Sequence, residues 1–197
     1  MTKTKHADRF AFLDLETTGL DPRVRNVAEI GCLITDFSLK PVAEPFQKTV
    51  RTFAGDWVDP VALEMHVASG LYAESAGEDT WPEGAVGPVR AFVYLSDYLT
   101  RNAGDGLIHV GMNPGFDQKF LERFAPHAGL EAINYQVIDV LSIRRMVRSC
   151  IGSHALPPIK VPGHRVLSDI QACLEEFRYY ISVFKWGAFN PPSSLGG

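Results

Sequence analysis

The stretch Phe12-Leu13-Asp14-Leu15-Glu16-Thr17-Thr18-Gly19-Leu20-Asp21-Pro22 places two acids on an otherwise apolar strand that ends in a Thr-Thr-Gly turn. Side chains alternate along a strand, so Asp14 and Glu16 point to one face while Leu13 and Leu15 point to the other. Adjacent carboxylates repel each other and lose hydration, and a divalent cation between them removes both penalties. The alternative is a pair of acids at a frayed strand end or capping the turn, and this stretch alone leaves the two interpretations evenly matched.

The composition is that of an ordinary globular protein. The 197 residues are 46% hydrophobic and 21% charged, which favours a single domain with a sizeable core. A net charge of -4 argues against binding long nucleic acid through a wide basic surface, and it is compatible with a metal-compensated acidic site for a short or single-stranded substrate. We expect one domain over residues 1–186 and a disordered tail over residues 187–197.

The cysteines and the hydrophobic segments indicate the cellular compartment in which the protein is expected. Cys32, Cys150 and Cys173 are scattered without metal-site spacing, so we expect buried free thiols in a reducing environment. The chain shows no charged-then-apolar signal segment at its start, and no apolar run approaches the length of a membrane span. We therefore expect a cytoplasmic protein that does not associate with membranes.

Hydrophobic periodicity predicts strands first and then strands alternating with helices, which is typical of an α/β fold with a mixed central sheet flanked by helices. The final helix is the clearest, with a core-facing stripe at Leu167, Ile170, Leu174, Phe177, Ile181 and Phe184. Residues 52–87 are interpreted as loops around one short helix, and Pro41 and Pro45 favour an edge position for the third strand. The predicted strands cover residues 9–16, 26–37, 39–51, 107–110 and 135–140, and the predicted helices cover residues 60–68, 89–101, 115–124, 141–150 and 167–184.

Two more acids and a histidine lie at helix starts. Asp117 falls in the first turn of a predicted helix, and Asp169 lies near the start of the last helix with His164 just before it. An acid in a first turn ordinarily complements the helix dipole, and a lone histidine before a helix is more often a cap or a surface residue. Together with Asp14 and Glu16, however, these residues match a family pattern.

Three motifs resemble those of the DEDDh 3′-to-5′ exonucleases and occur in that family's order. Asp14-Leu15-Glu16 matches its DxE motif, Asn113-Pro114-Gly115-Phe116-Asp117 matches N-x-x-F-D, and His164-Arg165-Val166-Leu167-Ser168-Asp169 matches H-x-x-x-x-D. The resemblance spans residues 10–184 and implies a ribonuclease-H-like fold. Within this group the chain is most similar to the oligoribonucleases, through four stretches at residues 14–22, 66–71, 135–140 and 164–180.

The resemblance implies a chemistry for these residues. The four carboxylates would hold two Mg²⁺ or Mn²⁺ ions about 4 Å apart, which bind the attacking and leaving oxygens of the phosphodiester. His164 would act as the general base.

The implied substrate-binding residues are Thr17, Leu20, His66, Ser69, Asn113 and Tyr135. Simpler interpretations stay open for Leu20 as core packing and for Ser69 as a helix stop. Arg144, Arg145 and Arg148 are interpreted as a solvated helix face.

The resemblance is weakest at the positions where oligoribonucleases enclose the 5′ phosphate of a very short RNA. Gln136 and Leu141 stand where that family has arginine and serine, and Gly111-Met112-Asn113 is closer to proofreading exonuclease subunits. Glutamine cannot replace a bidentate phosphate donor, and Lys160 or Arg165 are the candidates to supply one.

Three hypotheses follow from these motifs and departures. The first is a homodimeric, metal-dependent exoribonuclease that degrades short single-stranded oligonucleotides to nucleoside 5′-monophosphates. The second is a proofreading or trimming exonuclease that acts on single-stranded DNA or on structured RNA 3′ ends. The third is a non-catalytic nucleic-acid-binding module of the same fold.

Overall fold

Strands and helices alternate along the chain after an initial antiparallel hairpin. The computed structural model describes residues 8–53, 58–77, 84–128, 133–158 and 163–189. The strands are β1 (Arg9–Thr17), β2 (Val27–Asp36), β3 (Phe46–Thr49), β4 (Thr52–Phe53), β5 (Ala76–Gly77), β6 (Leu107–Gly111) and β7 (Ile133–Asp139). The helices are α1 (Pro60–Ala68), α2 (Leu71–Ser75), α3 (Pro88–Asn102), α4 (Pro114–Ala128), α5 (Val140–Cys150) and α6 (Val166–Phe189), with a 3₁₀ turn at Ser153–Ala155.

The central sheet has five strands in the order β3-β2-β1-β6-β7. The β1–β2 and β2–β3 pairs are antiparallel, whereas β1–β6 and β6–β7 are parallel. This confirms the predicted α/β fold with a mixed sheet, and it places β3 at an edge as expected. The prediction of a strand over residues 39–51 was too long, because regular pairing with β2 is confined to Phe46–Thr49. Pro45 lacks a backbone N–H and directly precedes this short strand.

The two faces of β1 belong to two different cores. Leu13 and Leu15 lie in a cluster with residues of α3 and α4, whereas Phe10 and Phe12 lie in a cluster with residues of α5 and α6. Since side chains alternate along a strand, Asp14 continues the face of Phe10 and Phe12. The two acids of the DxE motif, Asp14 and Glu16, therefore project toward the side of the sheet that α6 covers.

A glycine lets α6 approach this face closely. Gly31 of β2 lies opposite Asp14 in the β1–β2 register. A Cβ atom at Gly31 would lie 2.6 Å from Cβ of Val166 and 3.0 Å from Cδ1 of Ile170. The first turn of α6 thus packs directly on the strand backbone, and this contact brings Asp169 over the acids of β1.

Several local predictions are corrected by the structure. Residues 52–87 also contain α2 and the small parallel pair β4–β5, which are too short to leave a periodic signal. Helix α6 runs to Phe189, three residues into the predicted tail, and Phe184 is 43% exposed, so the core-facing stripe ends before it. Cys32 and Cys173 are buried free thiols as predicted, but Cys150 is exposed on α5.

Among the described ranges, no helix combines the length and the apolar composition that crossing a bilayer requires.

Candidate active site

The half-buried Asp14 and the buried Glu16 and Asp117 form a carboxylate cluster at the end of β1. Glu16 is 7% exposed and Asp117 is 4% exposed. Burial raises the pKa of Asp14 well above its usual range, and the nearby charges of Asp117, Glu16 and Asp169 raise it further. Burial likewise raises the pKa of Asp117, although backbone N–H groups, including that of Leu15, act in the opposite direction. Such carboxyl groups cannot all ionise without a compensating positive charge.

His164 and Asp169 complete this cluster from the start of α6. One ligand atom each from Glu16, His164 and Asp169 lies within 4.8 Å of the other two, so the three side chains could hold a metal ion. Asp169 is anchored because its Oδ1 accepts a hydrogen bond of 2.8 Å from the backbone N–H of Gly163. Burial raises the pKa of Asp169, and the charge of Glu16 adds to this effect. All five predicted catalytic residues therefore lie in one site.

The turn that follows β1 is held rigidly and exposes one apolar side chain. The Thr17 hydroxyl donates a 2.9 Å hydrogen bond to the carbonyl of Gly19, and Thr18 and Asn26 are joined by two hydrogen bonds of 2.8 and 2.9 Å. Leu20 is 78% exposed on this turn, so it is not a core residue. The open question about Leu20 is therefore answered against core packing.

Helix α1 brings the predicted residue His66 to the carboxylate cluster. His66 is 3% exposed, and its Nε2 lies 3.5 Å from Oε2 of Glu16. Ser69 ends the helix, since its backbone N–H donates to the carbonyl of Met65 and Gly70 follows with a φ of 78°. Ser69 thus caps the C-terminus of α1, a structural role that is compatible with the predicted contact to substrate. The contact between His66 and Glu16 ties α1 directly to the acids of β1.

Asn113 lies in the turn between β6 and α4, immediately ahead of Asp117. It has a φ of 62°, and its backbone N–H donates a 3.0 Å hydrogen bond to Oδ1 of Asp139. The same oxygen accepts from the N–H of Leu141 at the start of α5. Asp139 therefore joins the Asn113 turn to α5. Tyr135 belongs to β7, and its side chain lies outside the described part of the chain.

A cavity of about 590 Å³ opens beside Asp14 and Asp169, and Arg144 lines it together with Glu176. Nε of Arg144 donates a 2.7 Å hydrogen bond to Glu176, which also accepts a 2.7 Å hydrogen bond from the Tyr180 hydroxyl. The prediction of a solvated arginine face was wrong for Arg144, because this side chain is paired, although Arg145 and Arg148 are exposed.

The structure also shows the surroundings of the residues considered as donors to a substrate phosphate. Gln136 is exposed on β7. Arg165, one candidate replacement, is engaged by Glu29 and Glu74 at 2.8 Å each. Lys160, the other candidate, lies outside the described residues. The arginine that follows His164 is therefore tied to two acids instead of being open to a substrate phosphate.

Sequence reasoning missed Glu29, which is completely buried opposite Glu16 on β2. The signal was present, because Glu29 is an acid within the apolar run Val27–Cys32, the same anomaly that singled out Asp14. The pair formed by Arg144 and Glu176 left no such signal, since both residues lie on amphipathic helices where charged side chains are ordinary.

Comparison with known proteins gives relatives over most of the chain. No protein-family model matches. The oligoribonuclease of Streptomyces coelicolor is 31% identical over 177 residues, which cover 88% of this chain and 85% of the relative. The oligoribonuclease of Tropheryma whipplei is 29% identical over 181 residues, 89% of this chain and 93% of the relative. The human mitochondrial oligoribonuclease is 28% identical over 188 residues, 91% of this chain and 75% of the relative.

Solved structures share the fold at lower sequence identity. The zinc-bound complex of Escherichia coli exonuclease I with single-stranded DNA matches with a TM-score of 0.68 and 15% identity, over 91% of this chain. Exonuclease I of Methylocaldum szegediense matches with a TM-score of 0.66 and 17% identity, over 89% of this chain. This chain spans 43% and 40% of those two chains, less than half of their length. At this identity the likeness shows the fold alone.

Proposed function

Because the chain belongs to the oligoribonuclease family of 3′-to-5′ exonucleases, we propose that it hydrolyses short single-stranded RNA from the 3′ end to nucleoside 5′-monophosphates. The observation that carries this proposal is the convergence of five side chains from four elements: β1, α4, the turn before α6, and α6 itself. Three motifs that lie far apart in the sequence supply these side chains to one cluster.

The donor set of the cluster fits a hard divalent cation. Asp14, Glu16, Asp117 and Asp169 offer only carboxylate oxygens, which Mg²⁺ and Mn²⁺ prefer. Their burial and mutual repulsion raise the pKa values of Asp14 and Asp117, and this strain is relieved when positive charge is bound. We assign two ions to these four acids. When bound, such ions lower the pKa of a water and stabilise the oxygens of an in-line displacement.

His164 acts as the general base in this proposal. Its ring lies within the group formed with Glu16 and Asp169, on a turn that is half-buried. A neutral imidazole in this position accepts the proton of the attacking water, because one of its ring nitrogens carries a free lone pair. The acids of the cluster then stabilise the imidazolium that this transfer creates.

The substrate end of the site is the turn after β1. An exposed apolar side chain on a turn fixed by hydrogen bonds is suited to pack against a nucleobase, since stacking and apolar contacts tolerate any base. Leu20 has this character, and Thr17 precedes it on the same turn. His66 contacts Glu16 and lies beside the bound 3′ end in this proposal, with Ser69 and Asn113 at its borders.

A second candidate substrate is single-stranded DNA or a structured RNA 3′ end. The observation that favours it concerns two residues considered as donors to a substrate phosphate, Gln136 and Arg165. Gln136 cannot form a bidentate pair with a terminal phosphate, and Arg165 is engaged by two acids. If neither of these two described residues binds the 5′ phosphate of a very short strand, longer strands would be hydrolysed as well.

We also infer a homodimer that uses β7 and α5. Among the described strands, β7 is an edge of the sheet, and exposed edges favour association with another chain. Val137 on this strand is 39% exposed, Met146 on α5 is 49% exposed, and Ile151 at the end of α5 is 49% exposed. Sedimentation should give twice the 21.8 kDa mass of the chain, and a single species at 21.8 kDa would contradict the dimer.

The substrate is tested with labelled RNA and DNA strands, from dinucleotides to long oligomers, incubated with Mg²⁺ or with EDTA. We expect RNA to be shortened from its 3′ end, EDTA to stop the reaction, and Asp14→Ala to be inactive at every length. Asp97→Ala, which removes an exposed acid on α3, is the matched control and should keep full activity.

The outcomes of this series separate the hypotheses. Equal rates on RNA and DNA at all lengths would favour the second candidate substrate. Binding without cleavage would favour a non-catalytic module. Activity that persists in EDTA would contradict the metal-dependent chemistry.

A further inference from the structure

Glu29 is a buried acid that the proposed chemistry does not use. Its side chain is 0% exposed, and it lies opposite Glu16 in the β1–β2 register. Side chains at opposed positions of an antiparallel pair share one face of the sheet, so Glu29 lies next to the catalytic carboxylates. A buried charge needs partners, because an uncompensated carboxylate in the interior is strongly destabilising.

Arg165 supplies the main part of that compensation. Its Nη2 lies 2.8 Å from Oε1 of Glu29, and its Nε lies 3.2 Å from Oε2. The backbone N–H of Val166 donates to Glu29 at 3.1 Å, and Nε2 of Gln47 donates at 2.7 Å. Two consecutive residues at the start of α6 therefore bind the same buried acid of β2.

The same guanidinium also binds an acid of α2. Nη1 and Nη2 of Arg165 lie 3.0 and 2.8 Å from the two carboxylate oxygens of Glu74 on α2. Helix α2 directly follows α1, which carries His66. One planar group thus links β2, α2 and the turn that precedes α6. Only arginine has enough donors in a fixed plane to bind two carboxylates at once.

His164 is the residue directly before Arg165. It has a φ of 50°, in the left-handed region that side chains with a Cβ atom rarely adopt. A turn in this conformation persists only where its surroundings hold it. The turn is held on both sides, by the hydrogen bond from Gly163 to Asp169 and by the pairing of Arg165 with Glu29.

We propose that Arg165 is a positioning residue that fixes the imidazole of His164 against the carboxylate cluster, and that it acts through Glu29. This inference rests on the proposed role of His164 as general base. Loss of Arg165 would leave the backbone N–H of Val166 as the remaining hydrogen bond from this turn to Glu29, and it would leave the buried charge of Glu29 without its opposite charge beside the metal ligands. The pairing therefore explains both why Glu29 is buried there and why an arginine follows the histidine.

The test is a mutant cycle between the Glu29–Arg165 pair and His164. Arg165→Met leaves the buried charge of Glu29 without its opposite charge and is expected to lower stability, so the working variant is Glu29→Gln with Arg165→Met, which removes both charges. In the wild-type background this pair should lower kcat about 10- to 100-fold, the range expected when a reacting group is misplaced. In the His164→Ala background the same pair should change kcat by less than about twofold, because the residue it positions is gone.

Two controls complete the cycle. Arg165→Lys keeps a positive charge beside Glu29, and its kcat should lie between that of the wild type and that of the Glu29→Gln, Arg165→Met variant. Arg101→Met removes an exposed arginine of α3 and should leave the rate unchanged. An equal loss of kcat with and without His164 would overturn the proposal, since Arg165 would then act independently of the histidine.

A spectroscopic readout keeps this proposal separate from the proposed function. The imidazole NMR signal of His164 should shift and broaden in the Glu29→Gln, Arg165→Met variant, whereas the signals of the exposed His154 and the core residue His109 should not change. An unchanged His164 signal would overturn the positioning role whether or not the protein is an exonuclease. A shifted signal in a protein that cleaves no nucleic acid would support positioning and contradict the proposed function.

Discussion

Replacing Asp14 with asparagine should stabilise the metal-free protein while abolishing its activity. The pKa of Asp14 is raised because the side chain is buried and surrounded by other acids, so at neutral pH its ionisation opposes folding. Each pKa unit above the usual value corresponds to about 1.4 kcal/mol. In a domain of this size, each kcal/mol changes Tm by roughly 2–4 °C. Asparagine keeps the shape of the side chain and removes the charge.

The sign of the pH dependence follows from the direction of this shift. A raised acid pKa contributes stability that is present below the usual value, about 4, and is lost as the pH rises through the folded-state value. The gain in Tm from Asp14→Asn should therefore be absent near pH 4 and should grow toward neutral and mildly alkaline pH. Mg²⁺ should raise the Tm of the wild type more than that of the variant, because the variant has lost a ligand.

Thermal unfolding in EDTA and in Mg²⁺ across this pH range measures both effects. Asp97→Asn is the matched control, since Asp97 is an exposed acid whose Oδ2 forms a weak ion pair with Nη2 of Arg101 at 3.8 Å. The Tm of this variant should stay at the wild-type value. A metal-free Asp14→Asn protein that is no more stable than the wild type at neutral pH would refute the electrostatic reasoning for the cluster.

Three further predictions concern the scaffold. Gly31→Ala should lower the free energy of unfolding by about 1–3 kcal/mol and reduce kcat, because the new Cβ meets Val166; unchanged unfolding and turnover would show that α6 does not need this contact. Leu20→Ala should leave stability within about 0.5 kcal/mol of wild type and raise KM for RNA, and an unchanged KM would remove the turn from the substrate site. Arg144→Met should lower stability by about 1–3 kcal/mol because Glu176 stays buried and unpaired, and calorimetry showing no loss would contradict that pairing.

The sequence was most informative where a pattern repeats or a side chain breaks it. Alternation on β1 and the periodic spacing of α6 placed these elements to within a few residues, and acids on apolar elements marked the carboxylate cluster. The five catalytic candidates could be named because three motifs, on β1, at the start of α4 and at the start of α6, resemble those of the DEDDh exonucleases. The β3 strand and α2 were harder, since their short lengths leave no periodicity and their limits are set by pairing with neighbours.

The contacts that hold the site together could not be read from the sequence. Glu29 and Arg165 are 136 positions apart, and only the folded register places them at 2.8 Å. Arg144 is spaced along α5 like its exposed neighbours, and it is distinguished from them only by Glu176 on α6. Long-range pairing of charges depends on how helices cross the sheet, which local patterns do not encode.

The most direct test of the account is the digestion of a 5′-labelled RNA oligomer in Mg²⁺ by the wild type, by Asp169→Asn and by the surface control Asp97→Asn. Asp169 reaches the cluster through the packing of α6 on the sheet, where Val166 and Ile170 lie against Gly31 of β2, so its loss tests both the fold and the chemistry. We predict that the wild type and the control shorten the RNA stepwise from its 3′ end and release nucleoside 5′-monophosphates, while Asp169→Asn leaves it intact. Internal cleavage products, or full activity in Asp169→Asn, would contradict the account.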